Sequence, residues 1–455
     1  MGRINTRNKK VILLFDNYNE YSNDLYESYK LSGYNYPAIC INTDGFLPDD
    51  VISIYEYFLG DYKNNIDTES SPIDSNILGI PRYFNQIKLP DYWKIEADNT
   101  IAKVYYHDKI KAKIYYTGKG IKRVVKLVEW LSEDSTKVKC IDYYNKYGCL
   151  YARSIGNKEG KLVNKTYISI DGKETIEENY ITGNIILSYG SITKIFRSKS
   201  EFVVYGLFKL GYLDYTYYYN SLSTPFLVSQ LVSNKNTKDK LFWQEDIKDT
   251  IPGNMEFILD GKSNTDTIYI QNKTVYNKLL SLGVDKDKIK EKGYVYNFIR
   301  DNNYRDNALI CTDSDDIPNI ETIISELPNI NFHIAAVTKM SDKLLALDRY
   351  NNVTLYPGIL IDKYNELMDT CDIYLDINRG GTITNSIKTA FLNNQVIFAY
   401  KETSHNINYA ASVYSIDDVS SMIKDLRSIL DSTTSVDTYL VAQHISALSE
   451  EKQSY

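Results

Sequence analysis

The sequence predicts an α/β protein with two Rossmann-like domains and an antiparallel β-sheet domain inserted into the first. Three stretches carry that prediction. Residues 11–41 read as strand, helix, strand, the usual opening of a parallel α/β sheet. Residues 93–197 change grammar, to short β-favouring runs separated by turn signals. Residues 371–400, CDIYLDINRGGTITNSIKTAFLNNQVIFAY, read as strand, loop, helix, strand. The expected boundaries are 1–60 for the first part of domain I, 61–212 for the β-rich insertion, 213–300 for the second part of domain I, and 301–455 for domain II with C-terminal helices.

Taken in order, VILLF at 11–15 is a buried-type strand, ended by Asp16-Asn17. A helix follows over 20–31, stopped by Gly33, and then a strand over 38–41. No GxGxxG follows the first strand, so a dinucleotide site is not supported. Residues 44–48 are a turn cluster, 54–60 are rich in aromatics, and 61–76 are polar and read as a loop. In the insertion, strands are expected over 101–107, 110–117, 138–144, 162–170 and 185–189. Such a meander needs one apolar face covered, and its edges suit assembly. A helix over 200–210 and a strand over 215–219 restore the α/β pattern. The loop 220–226 caps the next helix, with Thr224 as N-cap and Pro225 first in the helix. Strands at 241–245, 266–270 and 294–298 close the first half.

The second half opens on a strand at 307–311 and continues through strands at 331–337, 353–356, 372–377 and 396–400. Asn378-Arg379-Gly380-Gly381 is a turn whose glycines tolerate positive φ. Helices over 417–430 and 438–450 end the chain, and in such an architecture the last one often crosses back onto the first domain.

Composition excludes several classes. A net charge of −7 argues against a nucleic-acid partner. Five scattered cysteines without a CxxC read as reduced core residues of a cytosolic protein. Four distant histidines make no zinc pattern. No apolar run is long enough to span a bilayer, and the basic start MGRINTRNKK lacks a signal-peptide apolar region. That start reads as a solvated tail, with weak attraction to an anionic membrane as the second reading. The 42 tyrosines fit coding bias first and an aromatic binding surface second.

Carboxyl ends of parallel strands are where ligands bind in open α/β sheets. Two groups of residues meet that condition. One is Asn220, Ser221, Ser223, Thr224 and Phe226 with Trp243, Gln244 and Glu245. The other is Asn378, Arg379, Gly380 and Gly381, with Thr382 and Thr384 beside them. Each also has a structural reading: Trp243 as a core aromatic, Ser221, Ser223 or Thr224 as a helix cap, Glu245 as a solvated rim charge, the glycines as a turn. No Ser/His/Asp or Cys/His spacing points to a hydrolase, and no catalytic residue, metal or cofactor is assigned.

The 371–400 unit resembles the second half of two-domain, GT-B-type retaining glycosyltransferases. Active members carry two glutamates eight positions apart in this unit, for the donor sugar and the nucleotide ribose. Alignment on Val396-Ile397 puts Gly380 and Lys388 at those places, and neither is an acidic acceptor. Where active relatives place cations for the donor diphosphate, this chain has Thr312-Asp313-Ser314-Asp315-Asp316. Carboxylates there repel a diphosphate by roughly 1 kcal/mol or more per pair.

Six segments in order carry a closer resemblance: DGFLP at 44–48, RYFNQ at 82–86, YNSLSTPF at 219–226, FWQE at 242–245, IPGNM at 251–255 and LDIN at 375–378. Together they resemble the GtfB family, the stabilising B subunits of the accessory-Sec adhesin glycosyltransferase. The resemblance implies a non-catalytic subunit that binds the acceptor, a serine-rich repeat adhesin polypeptide. Its expected partner is a homologous catalytic A subunit that moves N-acetylglucosamine from UDP to serine and threonine. Pairing through the inserted β domains is expected, in a heterotetramer of two of each. The expected location is the cytoplasm, peripheral on the inner face of the cell membrane. Two other readings stay open at this point: an active glycosyltransferase with an atypical donor site, and a structural scaffold only.

Overall fold

A computed structural model of the chain describes residues 10–60, 79–98, 101–117, 123–232, 238–383 and 385–455. The chain divides into two compact units, one holding the described residues up to Thr117 together with Arg123–Lys292, the other Gly293–Tyr455. In the first unit the VILLF run builds most of β1 (Val11–Asn17), and all five of its apolar side chains are buried. The helix Glu20–Leu31 follows, capped by the Asn19 side chain, which accepts from the Ser22 N–H. Next come β2 (Ala38–Asn42), β3 (Val51–Ser53) and the short helix Ile54–Leu59.

The chain then runs through ten antiparallel strands. They are β4 (Lys94–Ala97), β5 (Ile101–Tyr106), β6 (Lys109–Tyr116), β7 (Val125–Leu131), β8 (Val138–Tyr144), β9 (Leu150–Gly156), β10 (Leu162–Ile168), β11 (Glu174–Asn179), β12 (Ile185–Tyr189) and β13 (Ile192–Phe196). Each pairs with the next, so spatial order equals chain order. One face is closed by helices. Tyr55 of Ile54–Leu59 lies with its ring centroid 4.6 Å from Tyr167 and 5.0 Å from Phe202 of the helix Lys199–Leu210. Those two helices touch at Gly206, where a Cβ would fall 2.5 Å from Ile54 Cγ2, so only glycine fits. A separate cluster of Ala102, Val104, Ala112, Ile114, Val125 and Val128 is sealed by Ile87.

The parallel sheet resumes with β14 (Thr216–Tyr219), β15 (Asp239–Trp243), β16 (Thr265–Ile270) and β17 (Ile289–Glu291). Its order is β17-β16-β15-β14-β1-β2-β3, with every pairing parallel. The connections leave β1 toward β2 on one side and return through β14 on the other. The carboxyl ends of β1 and β14 therefore flank a topological switch point, the place where such sheets bind ligands.

The second unit holds β18 (Asn307–Cys311), β19 (Asn331–Ala335), β20 (Val353–Tyr356), β21 (Ile373–Asp376), β22 (Val396–Tyr400) and β23 (Ser412–Tyr414). The order β20-β19-β18-β21-β22-β23 puts its switch point between β18 and β21. The final helix Thr433–Ser446 is fixed to this sheet by Gln443. That fully buried amide accepts from the Ile397 N–H at 2.9 Å and donates to the Gln395 carbonyl at 3.0 Å. Asp372, also buried, is gripped by Arg305 Nε at 2.8 Å and Arg300 at 2.7 Å, which ties the start of the unit to β21.

Several element expectations change. β3, β4, β7, β9, β11, β13, β17 and β23 were not foreseen. The expected strand over 294–298 forms only an isolated bridge, Tyr294 to Ser449. Ser223, not Thr224, is the N-cap of the helix Thr224–Leu231, so Pro225 is its second residue. The terminal helices are Val419–Asp431 and Thr433–Ser446. Neither Gly380 nor Gly381 has positive φ. The polar loop over 61–76, the basic start over 1–9, the turn at 118–120 and Thr384 lie outside the described residues.

Candidate functional site

At the first switch point a row of carboxamides joins the ends of four strands. The backbone N–H of Asp16, after the apolar run of β1, donates to Asn220 Oδ1 at 3.0 Å. The Asn220 amide then donates to Ser22 Oγ and to Gln244 Oε1, both at 3.1 Å. Gln244 Nε2 donates to the Tyr21 carbonyl at 3.0 Å and to Gln271 Oε1 at 2.8 Å. Alongside, Ser221 Oγ donates to Glu245 Oε1 at 3.2 Å and accepts from the Ser223 N–H. Asn220, Ser221 and Gln271 are buried, whereas Ser223 and Glu245 are exposed.

Charge lies next to this row. Lys199 Nζ donates to Asn42 Oδ1 at 3.0 Å and pairs with the buried Glu178 of β11 at 3.2 Å. Asn42 in turn donates to Asp16 Oδ1 at 3.2 Å. Burial pushes the Asp16 carboxyl above its ordinary value; Lys199 pulls it back, and Glu245 pushes the same way as burial. Next to Glu178 on the sheet, Lys165 Nζ sits 4.2 Å from the Tyr143 ring centroid and 4.7 Å from that of Tyr167. Burial lowers the Lys165 ammonium to about 8.

The second switch point is built differently. The peptide joining Gly380 to Gly381 is held at both polar ends. Its N–H donates to Asp313 Oδ1, and its carbonyl faces His405 Nε2. His405 Nδ1 lies 2.6 Å from Oδ1 of Asp376, a buried carboxylate that also accepts from the His405 backbone N–H at 2.7 Å and Ser404 Oγ at 2.9 Å. Both ring nitrogens thus face oxygens. A Cβ on Gly380 would fall 2.2 Å from Asp313 Oδ1 and 2.5 Å from Ser314 Cβ. Glycine is required here by close approach, not by backbone conformation. Arg379 donates its backbone N–H to the Asp316 carbonyl at 2.9 Å, and its guanidinium lies 3.8 Å from the Asp316 carboxylate.

Four family models match the chain in order: GtfB N-terminal domain over 12–58, GtfB middle domain over 93–197, GtfB third domain over 199–282, and GftB/GlyA-F C-terminal domain over 308–443. A curated relative from Streptococcus gordonii, the UDP-N-acetylglucosamine–peptide N-acetylglucosaminyltransferase stabilizing protein GtfB, is 39% identical over 426 residues, covering 92% of this chain and 91% of the relative. The chain belongs to the GtfB family. The Streptococcus agalactiae protein of the same name is 38% identical, with 87% of each chain covered. Among solved structures, a chain of a GtfA/B complex bound to UDP and GlcNAc matches with a TM-score of 0.89 and 37% identity over 98% of both chains.

In this chain the two groups of residues singled out from the sequence have different geometry. Asn220, Ser221, Ser223, Gln244 and Glu245 do converge on one strand-end region in the first unit. Phe226 and Trp243 are buried in the core beneath it, which favours the core-aromatic reading of Trp243. The Trp243 indole N–H nevertheless has no hydrogen-bond partner among the described residues. Asn378, Arg379, Gly380 and Gly381 belong to the second unit, and their polar groups are spent largely on one another and on the acidic loop. Sequence reasoning missed Asp16, Asn42, Lys199 and Gln271 at the first edge, and Asp376 with His405 at the second. Asp16 and Gln271 each directly follow a strand's apolar run, and that position was the available signal. Among the described residues no group of three or more His, Cys, Asp or Glu could hold a metal ion.

Proposed function

We propose that this chain is the non-catalytic, stabilising subunit of a protein O-glycosyltransferase and that its first switch point binds the acceptor polypeptide. One observation carries the reading. The Gly380–Gly381 peptide, at the position where active relatives carry a glutamate for the donor sugar, is already tied to Asp313 and His405. A diphosphate approaching it meets a carboxylate in place. By contrast, the first edge offers carboxamides, hydroxyls and one exposed carboxylate, a set suited to an uncharged, hydroxyl-rich chain. The partner in this reading is a GtfA-type transferase that uses UDP-N-acetylglucosamine, as the names of the relatives and of the matched complex suggest. The acceptor is a serine-rich repeat adhesin awaiting accessory-Sec export, and two copies of each subunit assemble. The site residues on this reading are Asn220, Ser221, Ser223, Thr224, Gln244 and Glu245, with Trp243 and Phe226 supporting them. Asn378, Arg379, Gly380 and Gly381 line a second, polar contact.

A cytoplasmic location, peripheral on the inner face of the membrane, completes the proposal. It agrees with there being, among the described residues, no helix long and apolar enough to cross a membrane. The test titrates the purified chain separately with UDP-N-acetylglucosamine and with an unglycosylated serine-rich peptide. Peptide binding without donor binding is expected. Donor binding accompanied by sugar transfer would establish an active transferase instead, and binding of neither would leave a scaffold.

A further inference from the structure

The row of carboxamides at the first switch point ends on a donor with no acceptor among the described residues. Gln271 is 7% exposed, and its Nε2 has no hydrogen-bond partner among the described residues. Its orientation is not arbitrary. The Asp16 backbone N–H, which can only donate, fixes Asn220 with its oxygen inward. The Asn220 amide nitrogen then requires the oxygen of Gln244, and the Tyr21 carbonyl independently requires the Gln244 nitrogen. That nitrogen requires the oxygen of Gln271. Each amide sets the next, and the last one is left with its N–H₂ unanswered.

Leaving a buried N–H unpaired costs about 1–3 kcal/mol, so native chains rarely keep one without a use. Replacing Gln271 by an apolar residue would remove that cost; Gln244 would still donate to Tyr21 but would lose the Gln271 oxygen as acceptor for its other N–H. The amide is retained at the carboxyl end of β16, on the ligand-binding side of the sheet. We propose that Gln271 Nε2 donates to a main-chain carbonyl of the bound acceptor polypeptide. The inference rests on the acceptor-binding reading above and adds both a residue and a ligand atom to it. A main-chain carbonyl is the fitting acceptor because every residue of a repetitive, weakly charged polypeptide carries one. A site reading it holds the chain in any register.

The experiment measures fluorescence anisotropy of a labelled, unglycosylated serine-rich peptide against the full chain, and against Gln271→Glu and Gln271→Leu. Glu keeps an oxygen for Gln244 and replaces the N–H donor by an acceptor. Leu removes both and serves as the second variant should the added carboxylate impair folding. Thermal unfolding is recorded for each. Expected are a tenfold or larger loss of affinity in Gln271→Glu, a several-fold loss in Gln271→Leu, and a melting temperature for Gln271→Leu close to that of the parent, because one unpaired donor is exchanged for another. Parent and variants that bind the peptide equally would overturn the role of Gln271 and leave the acceptor reading standing. A parent that binds no peptide would bring down that reading itself.

Discussion

Gly380 shows how one missing methyl group decides a local structure. Alanine there drives its Cβ into Asp313 and Ser314, and Asp313 cannot retreat without breaking its bond to the Gly381 N–H. Gly380→Ala is therefore expected to cost about 1–3 kcal/mol, the usual penalty of overpacking. Denaturant titration measures it, and an unchanged midpoint would contradict the packing described. Asp372 gives a pH dependence. Burial pushes its carboxyl up, but the hydrogen bonds from Arg305 and Arg300 outweigh burial and hold it below 3.8. A depressed folded value means that its contribution is complete above the unfolded value and disappears as pH falls through the folded one. The parent chain should lose stability on acidification below about 4 more steeply than Asp372→Asn. Asp372→Asn should already be weaker at neutral pH, where two arginines lack their counter-charge. Parallel curves for the two proteins would rule this out.

Among the elements, the helix Lys199–Leu210 depends on an N-cap at Ser198, with the Glu201 carboxylate tied to the residue before it. Ser198 accepts from the Glu201 N–H at 3.2 Å, and the Glu201 carboxylate accepts from the Arg197 N–H at 2.9 Å. Ser198→Ala should lower stability by about 1 kcal/mol. Hydrogen exchange should quicken at the first turn of this helix before it does elsewhere, and uniform exchange would argue against a local cap. This helix and the strands β1, β2, β14 and β22 were legible because apolar run, period and cap agree in the sequence. β11 was not. Its sequence, ETIEEN, reads as polar, yet Glu178 is buried because Tyr55 and Lys199 come from other elements to satisfy it. β13 failed for the opposite reason: ITKIF is an edge strand with Ile192 and Ile195 exposed, so no alternation of burial marks it. The candidate site was half legible. Asn220 and Gln244 stand out in short motifs, but Asp16 joins them across 204 positions, and no local pattern encodes that contact.

For the whole molecule, the proposal divides labour between the parallel sheets and the ten-stranded meander. Removing residues 93–197, the span matched by the GtfB middle domain, is expected to abolish co-purification with a GtfA-type transferase. Point variants at the first switch point, such as Glu245→Ala, are expected to leave co-purification intact while weakening peptide binding several-fold. Pull-down and anisotropy on the same preparations separate the two. Retained pairing after the deletion would show that the meander is not the docking surface.

The pairing of β1 with β14 has a consequence for biosynthesis. Val11 lies against Thr216, so β1 waits for its central neighbour until about 200 more residues have been translated. At about 5–20 residues per second that is roughly 10–40 s on the ribosome. During that interval the nascent meander can zip up hairpin by hairpin, since each of its strands needs only the one before it. The emerging polypeptide thus spends its vulnerable period with an apolar strand of five residues, VILLF, lacking its β14 neighbour, a stretch for which a nascent-chain chaperone would compete.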